Sequence, residues 1–335
     1  TPNTSSAASD VYKRQERYSF GEFHQLTCQI AHLLMDEYSI RPGDRVAILM
    51  KNSPEFPLIF MALSSIGAVA VCLNSWWTSD ELKYGFMDSK VKLVFTDEQR
   101  LAKIKGFVSE MGVQTVLCRH QNSDKSDEFW NSLLTSKNNE LPRTTIDQDS
   151  DFAVMYTSGS TGHPKGVVMT HRGAISTLMS WHFGLRVLDV MGLGPVPYVD
   201  KNNQPYQPCQ LVSVPFFHVS GTHGGLLLAL WSGTKLVIMK KWDPPEAVRL
   251  IELEKVSRFG GVPTMAAEIL GEAKKVGAKL ESIRLIDTGG AARPADQARE
   301  MAESIPNVLT GTSYGMTETN ALGLSLIHIS EPTRQ

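Results

Sequence analysis

The sequence predicts an α/β protein with mostly parallel sheet, in two sheet-and-helix layers of similar size joined near residues 150–180. Two observations carry this. Short apolar runs of strand length alternate with segments of helical periodicity from residue 20 to residue 304. Turn signals such as Pro42-Gly43-Asp44 punctuate them.

In the first half, Phe23, Leu26, Ile30, Leu33 and Leu34 recur at helical spacing and predict a helix over 20–37. A buried strand is expected at 46–49, then a helix at 54–66, a strand at 68–73, a helix at 79–88 and strands at 91–95 and 115–118. The polar stretch 123–149 reads as an irregular connection. Strands at 152–156 and 167–169 flank a Ser/Thr/Gly-rich loop. In the second half, helices are expected at 172–186, 221–231, 244–256, 264–276 and 294–304. Strands are expected at 211–214, 234–239, 258–260 and 283–287, and 189–210 reads as a Pro/Gly/Asn-rich loop.

Bulk composition narrows the function classes. A formal net charge of -2 over 335 residues gives no basic footprint for nucleic acid. Cys28, Cys72, Cys118 and Cys209 are far apart, which argues against a zinc or disulfide framework and fits a reducing, cytoplasmic setting. The most apolar stretch, 58–73, is broken by Ser64, Ser65 and Gly67, so it reads as buried helix and strand and not as a membrane span. Peripheral membrane contact stays compatible with the sequence, and oligomeric state is not legible in it.

Both ends resemble translated sequencing adapters. One codon choice for residues 10–15 has a reverse complement that translates as Leu-Ser-Leu-Ile-His-Ile, the run at 324–329. The expected organisation is therefore an adapter-like tail over 1–15, a single incomplete domain over 16–323 and a second tail over 324–335, the tails being set aside in fold reasoning.

The strongest chemical signal is Tyr156-Thr157-Ser158-Gly159-Ser160-Thr161-Gly162-His163-Pro164-Lys165-Gly166. Four hydroxyls and two glycines fall within 157–162, between two apolar strands. Glycine lets backbone N–H groups approach an anion, successive N–H groups make a nest for phosphate oxygens, and Lys165 adds positive charge. It is not a Walker A loop, which needs Gly before the Lys and Ser or Thr after it; Pro164 and Gly166 stand there.

This loop resembles the signature of the adenylate-forming superfamily, which includes acyl-CoA synthetases, luciferases and peptide-synthetase adenylation domains. Tyr314-Gly315-Met316-Thr317-Glu318 resembles the second signature of that family, and Asp287-Thr288-Gly289-Gly290-Ala291 its adenine turn. Pro215-Phe216-Phe217-His218 and Gly260-Gly261-Val262-Pro263 resemble segments beside its acyl pocket. The resemblance covers nearly all of 16–323. It implies the large N-terminal domain of an AMP-forming acyl-CoA synthetase, cut before the small C-terminal domain. Implied substrates are ATP, coenzyme A and a small carboxylic acid, with Mg²⁺ as the metal.

The resemblance also implies residue roles. Thr157, Ser158, Gly159, Ser160, Thr161, Gly162 and Lys165 would bind the β- and γ-phosphates. Gly289, Gly290, Ala291, Thr312, Ser313, Tyr314, Gly315 and Met316 would line the base, with Tyr314 stacked on it. Thr317 would touch the α-phosphate, Glu318 would hold the metal and His218 would orient the carboxylate, with Gly221 and Gly261 beside the acid. Amino-acid-activating members carry an Asp near His218 and none stands here, which favours an acid without an α-amino group. The run Gly221–Leu228 reads as an apolar wall and favours a fatty acid; aryl-acid and luciferase-like chemistry are the alternatives. The ribose-binding Asp, the hinge and the C-terminal catalytic Lys would follow Gly323, so the chain alone is expected to be nearly inactive. A catalytically dead nucleotide-binding protein is a further alternative, which Lys165 and Glu318 oppose. A rival of another class is Gly311-Thr312-Ser313-Tyr314-Gly315, which fits the G-x-S-x-G elbow of a serine hydrolase with Ser313 as nucleophile. An elbow needs a helix directly after it, then an acid and a histidine; His328 is the sole histidine downstream.

Overall fold

The computed structural model describes residues 16–120, 127–135, 138–158 and 162–327. Gly159, Ser160 and Thr161, the tail 1–15 and residues 328–335 lie outside the described residues.

The chain opens with α1 (Phe20–Asp36), fixed at its start by a capping box: Ser19 Oγ accepts from Glu22 N–H, and Glu22 accepts from Ser19 N–H at 2.7 Å. Then come β1 (Arg45–Leu49), α2 (Glu55–Ser65), β2 (Val69–Cys72), α3 (Ser79–Ser89), β3 (Leu93–Asp97), α4 (Glu98–Ile104), β4 (Gln114–Arg119) and α5 (Asp127–Thr135). A hairpin, β5 (Asp151–Thr157) and β6 (Lys165–Thr170), closes the first sheet in the order β4-β3-β1-β2-β5-β6. All pairs are parallel except β5–β6. Residues 46–49 and 69–72 are buried throughout, as strands covered by helices on both faces must be.

The long helix α6 (His171–Val190) crosses to the second half. There β7 (Cys209–Val212), a π-helical segment Ser220–Leu227, α7 (Leu228–Ser232), β8 (Lys235–Ile238), α8 (Pro244–Glu254) and β9 (Arg258–Gly261) follow. Next are α9 (Pro263–Val276), β10 (Leu285–Gly289), α10 (Ala295–Ser304), β11 (Leu309–Tyr314), a 3₁₀ turn Thr317–Thr319 and β12 (Leu324–Ile327). The second sheet runs β12-β11-β10-β9-β7-β8 and is parallel except at β11–β12. Each sheet thus ends in one hairpin that adds an antiparallel edge strand.

The structure departs from four expectations. The stretch 123–149 contains helix α5, whose Phe129 and Leu133 are buried, so one apolar stripe outweighs the polar composition around it. No strand is expected at 309–314, yet β11 is an interior strand of its sheet, paired with β10 on one side and β12 on the other. The expected helix at 221–231 is π-helical until Leu227. A Cβ at Gly221 would lie 2.2 Å from the Pro215 carbonyl oxygen, so glycine permits this close backbone approach. Leu226 and Leu227 of that segment are buried in the core with the first sheet, so the reading of 221–228 as a substrate wall does not hold for these two side chains. The loop expected at 189–210 is largely loop, with one isolated bridge between Val199 and Pro205.

The first core cluster joins both halves: Phe56, Phe60, Phe152 and Met155 pack with Phe216, Phe217 and Leu226. Buried Asn52, in the turn after β1, clamps the two together. Its Nδ2 donates to the Val214 carbonyl and its Oδ1 accepts from Phe216 N–H, both at 2.9 Å. The second sheet has its own core facing α8 and α9, built on Leu211, Phe259 and Ile286.

Candidate functional site

The two signature motifs occupy equivalent places. Each lies in the connection between the last parallel strand of a sheet and its antiparallel edge strand, at the carboxyl end of the parallel strands, where open α/β sheets bind ligands. Thr157 and Lys165 face each other across the mouth of the β5–β6 hairpin. Ser158, Gly162, His163 and Lys165 are exposed, and Gly162 adopts φ +104°, which only glycine takes without strain. The hairpin base is held firmly. Buried Tyr156 donates to Asp88 at 2.7 Å, its phenol pushed up in pKa by burial and by that carboxylate. The His163 ring stacks on Tyr84 at 4.8 Å.

The Tyr314–Glu318 segment is a turn folded on itself. Leu322 and Gly323 bring the chain back, Gly323 N–H donating to the Tyr314 carbonyl at 3.0 Å. A Cβ on Gly315 would sit 2.0 Å from the Ala321 carbonyl oxygen. Tyr314 is 63% exposed and Glu318 is exposed, so the aromatic ring and the carboxylate stand free for a ligand. The turn at 289–291 is adjacent: Gly289 at the end of β10 pairs with Ser313 near the end of β11, and Gly290 adopts φ +77°.

These two regions meet. Strand β6 packs against the Thr317–Thr319 turn, and Ala321 packs on the first core cluster. The Asn320 amide lies over Gly173 in the first turn of α6, where a Cβ would be 2.7 Å from Asn320 Nδ2. His223 of the π-helical segment is fully buried beneath. Its Nδ1 is 3.2 Å from Thr222 Oγ1, and burial holds its pKa down to about 4, offset in part by Asn320. His218 is half-buried, packed on Phe217 at 4.6 Å, with burial lowering its pKa, so it is neutral at pH 7. Gly221 faces the Val214 and Pro215 carbonyls and Gly261 faces the Phe259 ring at 3.0 Å, so both serve close packing on their Cβ side.

Ser313 lies in strand β11 and donates to Asp287 Oδ2 at 3.2 Å. Beyond Tyr314 the chain makes only the short 3₁₀ turn Thr317–Thr319 before the antiparallel β12, and no α-helix starts there, so the nucleophile-elbow geometry is absent. Among the described residues no cluster of His, Cys, Asp and Glu could hold a metal by itself. Glu318 with the Thr317 hydroxyl nonetheless suits Mg²⁺, which keeps its waters and takes one or two carboxylates plus phosphate oxygens.

A sequence model described as AMP-binding enzyme matches residues 2–335. The chain belongs to the AMP-binding enzyme family. 4-Coumarate–CoA ligase CCL1 of Humulus lupulus is 32% identical over 301 residues, 89% of this chain and 52% of that protein. 4-Coumarate–CoA ligase 3 of Arabidopsis thaliana is 29% identical over 318 residues, 94% of this chain and 54% of that protein. The N-terminal domain of FACL13 from Mycobacterium tuberculosis superposes with a TM-score of 0.79 at 26% identity, over 93% of this chain and 72% of that one. The o-succinylbenzoate coenzyme A synthetase of Bacillus subtilis in complex with AMP gives 0.73 at 25% identity, over 94% of this chain and 57% of that one. The chain spans about half the length of the curated relatives it matches. This AMP-binding enzyme therefore has the fold of the N-terminal domain of adenylate-forming enzymes. No described helix is long and apolar enough to cross a membrane.

Several residues that position the site carry no sequence signal of their own. Asn52 and Asn320 are single polar residues in ordinary runs, and only the fold brings them to the site.

Proposed function

We propose that this chain binds ATP and activates a carboxylic acid as its acyl-adenylate, for transfer to the thiol of coenzyme A. The observation that carries this is the packing of the strand that starts at Lys165 against the turn that bears Glu318. Lys165, Thr157, Ser158 and the loop through Gly162 take the β- and γ-phosphates. Gly289, Gly290 and Ala291 meet one face of the adenine, and Tyr314 stacks on the other, with Thr312, Ser313, Gly315 and Met316 completing its surround. Thr317 contacts the α-phosphate. Glu318 holds Mg²⁺, which supplies charge neutralisation on the phosphates when bound.

The acid's carboxylate attacks the α-phosphorus and pyrophosphate leaves. A carboxylate is a weak nucleophile, so the barrier falls mainly through positioning and electrostatic stabilisation. Neutral His218, held by Phe217 and the Asn52 clamp, orients the acid. Similar proteins are named for 4-coumarate, fatty acyl and o-succinylbenzoate substrates. Those names support a carboxylic acid, with aryl and fatty acids both represented. The test is acid-dependent exchange of labelled pyrophosphate into ATP, with hydroxylamine trapping of the adenylate. Slow, acid-dependent exchange that Lys165→Ala and Glu318→Gln abolish is expected. Exchange without added acid, or failure of the chain to bind AMP at all, overturns the reading.

A further inference from the structure

The face of the second sheet that looks away from α8 and α9 carries a charge imbalance. Leu211, Phe259 and Ile286 turn into the core on the helix side. In a strand the neighbouring residues point the other way. Register therefore aligns Gln210, Arg258 and Leu285 in one row on the opposite face, with Gly260, Asp287 and Gly311 in the next. This face looks toward the Ser220–Leu227 segment, because Gln210 Nε2 donates to the Gly224 carbonyl at 3.1 Å. At Gly260 a Cβ would meet nothing nearer than 3.9 Å, so there is room above it.

Two guanidiniums lie within electrostatic reach of one carboxylate here, and neither forms an ion-pair contact with it among the described residues. The negative charge of Asp287 offsets part of the effect of burial on both Arg258 and Arg293. Arg293 Nη1 donates to the Gly311 carbonyl at 2.9 Å, while its Nε and Nη2 are buried and unpartnered among the described residues. Asp287 Oδ2 accepts from Ser313, and its Oδ1 is buried without a partner among them. Burial lowers the pKa of both arginines and raises that of Asp287, against the opposing attraction between the arginines and the carboxylate. A buried cation without a counter-charge is costly, and an arriving anion would relieve it.

We propose that Arg258 and Arg293 form an anion-binding subsite for a second carboxylate at the far end of the acid, so that the substrate is a dicarboxylic acid and not a fatty acid. This rests on the acid-activating reading above and specifies its substrate. A tail carboxylate would take the free Nε–H and Nη2–H of Arg293 and bring the cluster to charge balance, with Gln210 and Gly260 beside it.

The test titrates the chain, saturated with AMP, with α,ω-dicarboxylates of four to eight carbons and their monocarboxylate counterparts by calorimetry. At one chain length the dicarboxylate should bind about tenfold or more tighter, as expected for charge-assisted hydrogen bonds. Arg258→Met or Arg293→Met should shrink that preference to about twofold with AMP binding kept, and Asp287→Asn should increase it. If no dicarboxylate outbinds its counterpart, or the preference survives both arginine changes, the subsite is wrong. Inorganic phosphate that binds in an Arg293-dependent way, with no tail preference, likewise overturns the substrate assignment in favour of a free anion. Failure of the unmodified chain to bind AMP would instead sink the acid-activating reading itself.

Discussion

Replacing Gly315 by alanine puts a methyl carbon 2.0 Å from the Ala321 carbonyl oxygen and 2.6 Å from its carbon. Carbon–oxygen contacts settle near about 3.3 Å, so the two strands of this turn must part by roughly 1 Å. No side chain can swing aside, because both neighbours are backbone. The shift falls between Tyr314, proposed to stack on the base, and Glu318, proposed to hold the metal at the phosphates. A misplacement of about 1 Å in a binding site can cost on the order of a hundredfold. AMP affinity of Gly315→Ala, measured by calorimetry, should therefore fall at least about tenfold, with a stability loss of roughly 1–3 kcal/mol in urea unfolding. Gly271→Ala is the control: that glycine sits in α9 with nothing within 4 Å of a Cβ, and the change should stabilise by about 0.5–1 kcal/mol. AMP affinity within twofold of the parent in Gly315→Ala would refute the reasoning.

The same structure sets three other outcomes. Lys165→Ala should weaken ATP by about tenfold while leaving AMP within about twofold, because the lysine is proposed to serve the outer phosphates; equal loss for both nucleotides would contradict that role. Glu55 is fully buried and ion-pairs with Arg119 at 2.7 Å, so Glu55→Ala should cost about 3 kcal/mol in urea unfolding, and a loss under about 1 kcal/mol would count against that pair. His223 titrates near 4 when folded and near 6.5 when unfolded. The unfolded chain thus takes up the proton first as pH falls, and stability from this group is full above about pH 6.5 and lost on the way down to about 4, by roughly 3 kcal/mol. Subtracting the stability–pH curve of His223→Gln from that of the parent should reveal this loss; parallel curves would show that His223 is not held neutral.

Much of the architecture was legible because its cause is local. Continuous apolar runs at 46–49 and 68–73 marked the buried parallel strands β1 and β2, and the helical spacing of Phe23, Leu26, Ile30, Leu33 and Leu34 marked α1. The strands on either side of the Ser/Thr/Gly-rich loop were legible from the apolar runs at 152–156 and 167–169. Strand β11 was not, since Leu309-Thr310-Gly311-Thr312-Ser313 has the composition of a turn and becomes a strand only through its pairing with β10. Helix α5 was hidden by polar neighbours, although Phe129 and Leu133 are four residues apart. Asn52 and the Arg258–Asp287–Arg293 cluster depend on contacts across many residues of sequence, which no local pattern encodes. The strand Leu324–Ile327 pairs with β11 in a stretch that resembles an adapter by its codons, a feature to which strand pairing is indifferent.

The most direct measurement of the central claim is a crystal structure of the chain with Mg²⁺ and a non-hydrolysable ATP analogue. The expected result is a single nucleotide whose base lies between the Gly289–Ala291 turn and Tyr314, with its outer phosphates on the β5–β6 hairpin beside Lys165. Nucleotide density that touches only one of the two hairpins, or that lies elsewhere on the protein, would contradict it.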